Sequence, residues 1–332
     1  MLNSDERGIL EKLVFAAEQD PSMPTFPVTR AYPLSVPHFT NVILKDESTN
    51  PTGTHKDRMA WEIVMVYLDI LRAKESGLYD KPLPHMSIIS AGSAALAIQS
   101  QFRKFGLPNL KILVDESTDQ SVVRYLRNIG CEVFQRKLGE SPLSPEQILA
   151  ETDNADGFDV TSNKGFDPNV RFYDWLGYEI LNENADHVFM PFGTGQLYEN
   201  VLNIARLVSS GAADHVFVGD PDAVRRCNFF GATTNDPDTK AVKLYAPFRP
   251  FTSVSNQLVK LLAMRGLCGK DSSILEVSEE NIEYAKSLLD NARVPAEYSA
   301  AAGLGLLYQL KDAIPRDARI LVVSTGKTKM GE

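Results

Sequence analysis

Apolar positions along this chain fall into two alternating patterns. Runs of four or five mostly apolar residues are followed, after a polar or glycine-bearing loop, by stretches in which apolar residues recur every three to four positions. The first pattern predicts buried strands and the second amphipathic helices. Residues 42–46 (VILKD) read as a strand, and the run 56–73 places Met59, Ile63, Tyr67, Ile70 and Leu71 on one helical face, with the polar loop ESTNPTGTH between them. The pattern recurs as strand 86–90, loop AGS, helix 94–105, strand 110–114, helix 119–128 and strand 131–135. A second series reads as helix 170–184, strand 187–190, loop PFGTGQ, helix 197–208 and strand 215–219. Residues 221–250 are rich in turn formers and show no clear period, so no element is assigned there. Strand 274–277, a helix capped by Ser278, helix 300–310 and strand 319–323 close the series. Strands alternating with helices predict an α/β protein with mostly parallel sheets.

Composition narrows the function more than the fold. At roughly 100 to 200 residues per domain, the 332 residues suggest two domains. The excess of 43 acidic over 34 basic residues, a net charge of −9, argues against the broad basic face of a nucleic-acid binder. Cys131, Cys227 and Cys268 are odd in number and widely spaced, which supports neither a disulfide framework nor a zinc site, and no metal is expected. The acidic first residues do not read as a signal peptide, and no stretch has the apolar length of a membrane helix, so a cytoplasmic protein without a membrane partner is expected.

Three strand-to-helix loops stand where a parallel sheet opens towards helix amino termini, the usual place for an anionic ligand. In PFGTGQ, Gly193 and Gly195 allow close backbone approach to a phosphate, although a lone G-x-G is also an ordinary turn. A dinucleotide fingerprint would need glycine where Tyr198 stands, and a Walker loop ending in STGKT would need glycine at Leu321. In NPTGTHKDR, Lys56 opens an amphipathic helix, where the positive end of the dipole disfavours its ammonium form and favours a nucleophilic amine.

Taken together, these loops resemble those of the fold type II, tryptophan synthase β-like, pyridoxal-phosphate-dependent enzymes, most closely the threonine synthase branch. The resemblance spans nearly the whole chain, and its most specific part is K-D-E-x-x-N-P-T-G-x-x-K-D-R. It implies pyridoxal 5'-phosphate bound as a Schiff base to Lys56, with His55 near the cofactor phosphate. Gly193, Thr194, Gly195, Gln196 and Leu197 match the phosphate loop, and Thr325 matches the residue facing the pyridine nitrogen. Ser90, Ala91, Gly92, Ser93, Ala94 and Ala95 stand at the family's S-x-G-N-x-A, whose backbone receives the substrate carboxylate. Ser93 replaces the asparagine that touches the pyridoxal hydroxyl; a cofactor contact and a helix cap both remain open for it. Glu297 matches the family glutamate, although Tyr298 stands at the following proline, and an ordinary surface carboxylate is the alternative. Arg171 matches an arginine that clamps substrate phosphate, with a local salt bridge as the alternative, and Ser162, Asn163 and Lys164 are weaker candidates.

The resemblance further implies two open three-layer α/β domains with the cofactor site in the cleft between them. Residues 46–157 would form the smaller domain, and 1–45 with 158–332 the larger. The implied activity is β- or γ-elimination or replacement on an amino acid, by a threonine synthase-like lyase acting as a homodimer. A serine/threonine dehydratase, a cysteine or cysteate synthase-like enzyme and a non-catalytic pyridoxal-phosphate-binding paralogue are the alternatives.

Overall fold

The computed structural model describes residues 27–90, 92–138, 143–161, 172–213, 216–245 and 254–329. In chain order, the elements begin with β1 (Arg30–Pro33), β2 (Val42–Asp46), a 3-10 turn (Glu47–Thr49), α1 (Lys56–Glu75), β3 (Met86–Ile89) and α2 (Ser93–Phe105). Next come β4 (Lys111–Asp115), α3 (Gln120–Asn128), β5 (Glu132–Arg136), α4 (Pro145–Glu151), β6 (Phe158–Asp159) and α5 (Asp174–Leu181). They continue with β7 (His187–Pro191), α6 (Gln196–Ser209), α7 (Pro221–Arg226), β8 (Asn228–Thr233) and α8 (Asn256–Met264). The last are β9 (Ser273–Glu276), α9 (Glu279–Asn291), α10 (Tyr298–Gln309) and β10 (Ile320–Ser324). Two compact units result, one built around Lys56–Phe172 and the other from Val28–His55 with Tyr173–Lys329.

The first unit holds a parallel sheet in the order β5-β4-β3-β6. Met59, Ile63, Tyr67 and Ile70 are buried along one face of α1, as the 3.6-residue period requires. That face meets α2, where the Tyr67 ring stands edge-on to Phe102 with centroids 5.1 Å apart and Trp61 meets Phe105 at 6.0 Å. Burial raises the Tyr67 pKa and keeps the hydroxyl protonated, so it donates to the Pro84 carbonyl.

The second unit holds a sheet in the order β1-β2-β10-β7-β8-β9. Its edge strand β1 is antiparallel to β2, and the remaining pairs are parallel. Apolar residues of α9 and α10 cover one face together with Phe189, Phe230, Ile320 and Val322. The alanine- and glycine-rich sequence of α10 permits a close approach: a Cβ added to Gly303 would stand 3.0 Å from the Phe189 carbonyl oxygen. On the opposite face, Gly231 leaves room for the ring of Tyr198 from α6, whose hydroxyl donates to the Phe229 carbonyl at 2.9 Å.

Three elements differ from expectation. The helix expected over 170–184 is confined, among the described residues, to Asp174–Leu181. Within the strand expected over 215–219, His215 lies outside the described residues and 216–219 form no strand. Their backbone bonds to a side chain instead: Asn182 Oδ1 accepts from the N–H groups of Val218 and Gly219 at 2.9 and 3.2 Å, and Asn182 Nδ2 donates to the Val216 carbonyl. Between β7 and β9 lies β8, in the segment 221–250 that shows no clear period. All six of its residues are buried, so it lacks the polar alternation of a half-exposed strand. Because the strands from β2 to β9 are parallel, the segments after β2, β7 and β10 leave the sheet at the same end.

Candidate active site

The loop that leads into Lys56 is tied down from both sides. After β2, Asp46 accepts the Ser48 N–H and the Tyr32 hydroxyl, both at 2.9 Å, and so caps the 3-10 turn. Glu47 is completely buried; it accepts the Thr29 hydroxyl at 2.5 Å and Asn50 Nδ2 at 2.8 Å. The same Asn50 nitrogen reaches the Thr54 carbonyl at 3.1 Å.

The segment after β10 then runs antiparallel along this loop. Thr54 and Gly326 form a β-bridge, Lys327 N–H donates to the Gly53 carbonyl at 2.9 Å, and Lys329 N–H donates to the Thr52 carbonyl at 3.1 Å. Two glycines make this approach possible, with φ of +85° at Gly53 and +89° at Gly326. A Cβ on Gly326 would lie 2.1 Å from the Gly53 carbonyl oxygen. The bridge brings two expected site residues together, because His55 N–H donates to the Thr325 carbonyl at 3.2 Å. The His55 ring lies against Tyr173, with centroids 5.2 Å apart. Burial, and then the negative charge of Glu47, raises the pKa of Tyr173 and holds its hydroxyl neutral.

Beneath the loop, buried Lys45 pairs with Glu179 of α5 and donates to the Thr29 carbonyl at 2.7 Å. Removing one partner of a buried pair costs about 3–5 kcal/mol. Lys45→Met therefore lowers the unfolding free energy by about that amount, and the midpoint of urea denaturation measures the change.

The glycine loop joins β7 to α6. Phe192 N–H donates to the Ala232 carbonyl at 2.7 Å, extending the ladder by one residue before the turn. Gly193 passes so close to the Lys243 carbonyl that a Cβ would stand 2.3 Å from its oxygen. Gly195, at φ +90°, is the N-cap of α6 and brings no capping side chain to its first N–H groups. Thr194 is exposed, whereas Leu197 is buried in the core and can offer a ligand only its backbone. A turn with glycine at 193 and 195, followed by a 14-residue helix without a side-chain cap, suits a phosphate group.

Glu297 is the N-cap of α10, and its N–H donates to the Gly326 carbonyl at 3.2 Å. Both carboxylate oxygens accept from Lys243 Nζ at 2.7 Å, and the same ammonium reaches Thr328 Oγ1 at 3.2 Å. Glu297 is thus an ion-paired carboxylate joined to the residue that packs on Gly193. Lys243 lies in the stretch where the sequence showed no period, and it touches Gly193 through its backbone, so its residue type carries no signal for that contact.

In the other unit, Lys56 is the first residue of α1. The substrate-loop candidates precede and open α2: Gly92 N–H donates to Ser90 Oγ at 3.3 Å, Gly92 is the N-cap, and Ser93 and Ala94 are buried in the first turn. The cap position therefore belongs to Gly92 and not to Ser93. Ala91, Ser162, Asn163, Lys164 and Arg171 lie outside the described residues.

Two α/β units with mostly parallel sheets thus carry a glycine turn feeding an uncapped helix in one and a lysine heading a helix in the other. The chain belongs to the pyridoxal-phosphate dependent enzyme family, whose model matches residues 24–326. Solved structures share the fold at low identity. O-ureido-L-serine synthase is similar with a TM-score of 0.62 and 17% identity, covering 92% of each chain. The processed form of threonine deaminase isoform 2 from Solanum lycopersicum gives 0.61 and 17%, covering 98% of this chain and 91% of that one. A pyridoxal 5'-phosphate-dependent aspartate racemase gives 0.63 and 13%, covering 98% and 97%. No curated protein matches the sequence. The cofactor is pyridoxal 5'-phosphate, and the turn with glycine at 193 and 195, leading into an uncapped helix, fits its phosphate. Among the described residues, no helix is long and apolar enough to cross a membrane, and no cluster of ligating side chains could hold a metal ion.

Proposed function

We propose that this protein is a threonine synthase-like lyase or synthase that carries out β- or γ-elimination, with or without replacement, on a polar or phosphorylated α-amino acid. The observation that carries this reading is the bridged loop Asn50–His55, which delivers Lys56 at the head of a helix. Lys56 is the covalent anchor of the cofactor and, once displaced by substrate, the base that takes the α-proton. When bound, the cofactor supplies the electron sink. Backbone N–H groups of Gly193–Leu197 hold its phosphate, with His55 nearby. Thr325 presents a neutral hydroxyl to the pyridine nitrogen, a partner that suits elimination better than transamination. The loop Ser90–Ala94 receives the substrate carboxylate, Ser93 serves the pyridoxal hydroxyl, and Arg171 clamps a substrate phosphate. Glu297 faces the substrate with its charge already balanced by Lys243.

Product analysis tests the reading. Incubated with a phosphorylated homoserine, the holoenzyme releases inorganic phosphate; absence of phosphate sinks the threonine synthase form. A second reading, β-replacement or dehydration of a serine-type substrate, draws on the shared fold with O-ureido-L-serine synthase and threonine deaminase. It is recognised by ammonia and oxo-acid release from serine or threonine, or by consumption of an added nucleophile.

A further inference from the structure

Thr29 lies far from Lys56 in sequence and belongs to none of the motifs above, yet all its polar groups enter the buried cluster beneath the Lys56 loop. Its hydroxyl donates to Glu47 at 2.5 Å, its N–H donates to Glu179 at 3.4 Å, and its carbonyl accepts from Lys45 Nζ at 2.7 Å. Glu47 passes the contact to Asn50, and Asn50 to the Thr54 carbonyl, two residues before Lys56. A fully buried carboxylate is costly unless its acceptor sites are used. Glu47 uses them to join β2's exit to the loop.

We propose that Thr29 is a positioning residue which, through Glu47 and Asn50, holds the Asn50–His55 loop in the shape that lets Lys56 link to the cofactor. The hydroxyl matters because it donates to a buried charge, a bond stronger than one between neutral groups. The inference rests on the reading of Lys56 as the anchor, and its test separates the two.

Thr29→Val keeps the shape and both backbone contacts while deleting the donor. The holoenzyme, its Thr29→Val and Thr29→Ser variants, and a Lys56→Ala control are titrated with pyridoxal 5'-phosphate, reduced with borohydride and mapped for labelled Lys56. Thr29→Val is expected to lose roughly tenfold in cofactor affinity, the ratio set by one hydrogen bond to a charged group, and to label Lys56 less completely. Thr29→Ser restores both. A purely structural role would instead lower the unfolding midpoint and leave labelling at saturating cofactor unchanged, and that result overturns the proposal. Should Thr29→Val fail to fold, Asn50→Ser cuts the same chain at its last link, and undiminished labelling there overturns it equally. Labelling of another lysine in Lys56→Ala, as complete as that of the unaltered protein, would defeat the anchor assignment instead, whatever Thr29→Val shows.

Discussion

Lys56→Ala is expected to abolish the visible absorption band of the bound cofactor and to lower turnover by at least ~10³-fold, within the range for losing a positioned general base. Two losses coincide in this one change. On the proposed reading, the amine that forms the covalent link is gone, and so is the group that takes the proton once substrate has displaced it. Lys56 is the first residue of α1, and the apolar packing of that helix depends on Met59, Ile63 and Tyr67 further along. The variant should therefore keep its helical core and still bind cofactor through its phosphate. An unaltered visible spectrum after the substitution would remove Lys56 as the anchor.

Gly193→Ala carries the second-largest expected effect. The added methyl would stand 2.3 Å from the Lys243 carbonyl oxygen, a backbone atom that moves only if its segment moves. That segment is itself held, because Lys243 N–H donates to Ser299 Oγ at 3.1 Å and its ammonium grips Glu297. Relief must therefore come from the glycine turn, which carries its N–H groups away from the position proposed for the phosphate. Overpacking of this kind costs about 1–3 kcal/mol, so cofactor affinity should fall by roughly ten- to a hundredfold. Gly211→Ala supplies the control: that residue also has positive φ, +74°, but no neighbour lies within 4 Å of an added Cβ. It should lose some stability and no cofactor affinity. Equal cofactor affinity in Gly193→Ala and the unaltered protein would show that the turn is not the phosphate cradle.

Much of the fold is legible in the sequence because each strand–loop–helix unit repeats the same change of period, from continuous apolar run to amphipathic face. Where that signal fails, the reasons are specific. Strand β8 reads as irregular because it is buried on both faces and contains Gly231 opposite an aromatic ring. Residues 216–219 read as a strand because Val216, Phe217 and Val218 are apolar, yet Val218 is 81% exposed and Asn182 takes up the backbone bonds a ladder would need. Strand β6 is only two residues long, and β1, as long as β3 and β9, is mostly exposed and carries no apolar run.

The site divides in the same way. Lys56, Gly193, Gly195 and Thr325 stand out in the sequence as candidates because the chemistry or backbone freedom proposed for them depends on residue type. Lys243 and Thr29 act through contacts that depend on where the chain folds back. Nothing in their local sequence distinguishes them from ordinary polar residues.

The bridge between Thr54 and Gly326 has a consequence for the order in which the molecule assembles. Asn50 and Lys329, which hydrogen-bond across it, are 279 positions apart in sequence. Closing so distant a contact demands that the chain between them be largely arranged first. During synthesis, the loop ahead of Lys56 emerges early but acquires its bridged shape only after residues 325–329 have been made. Competence to hold the cofactor should therefore be among the last properties a refolding chain gains, well behind the return of its helical signal.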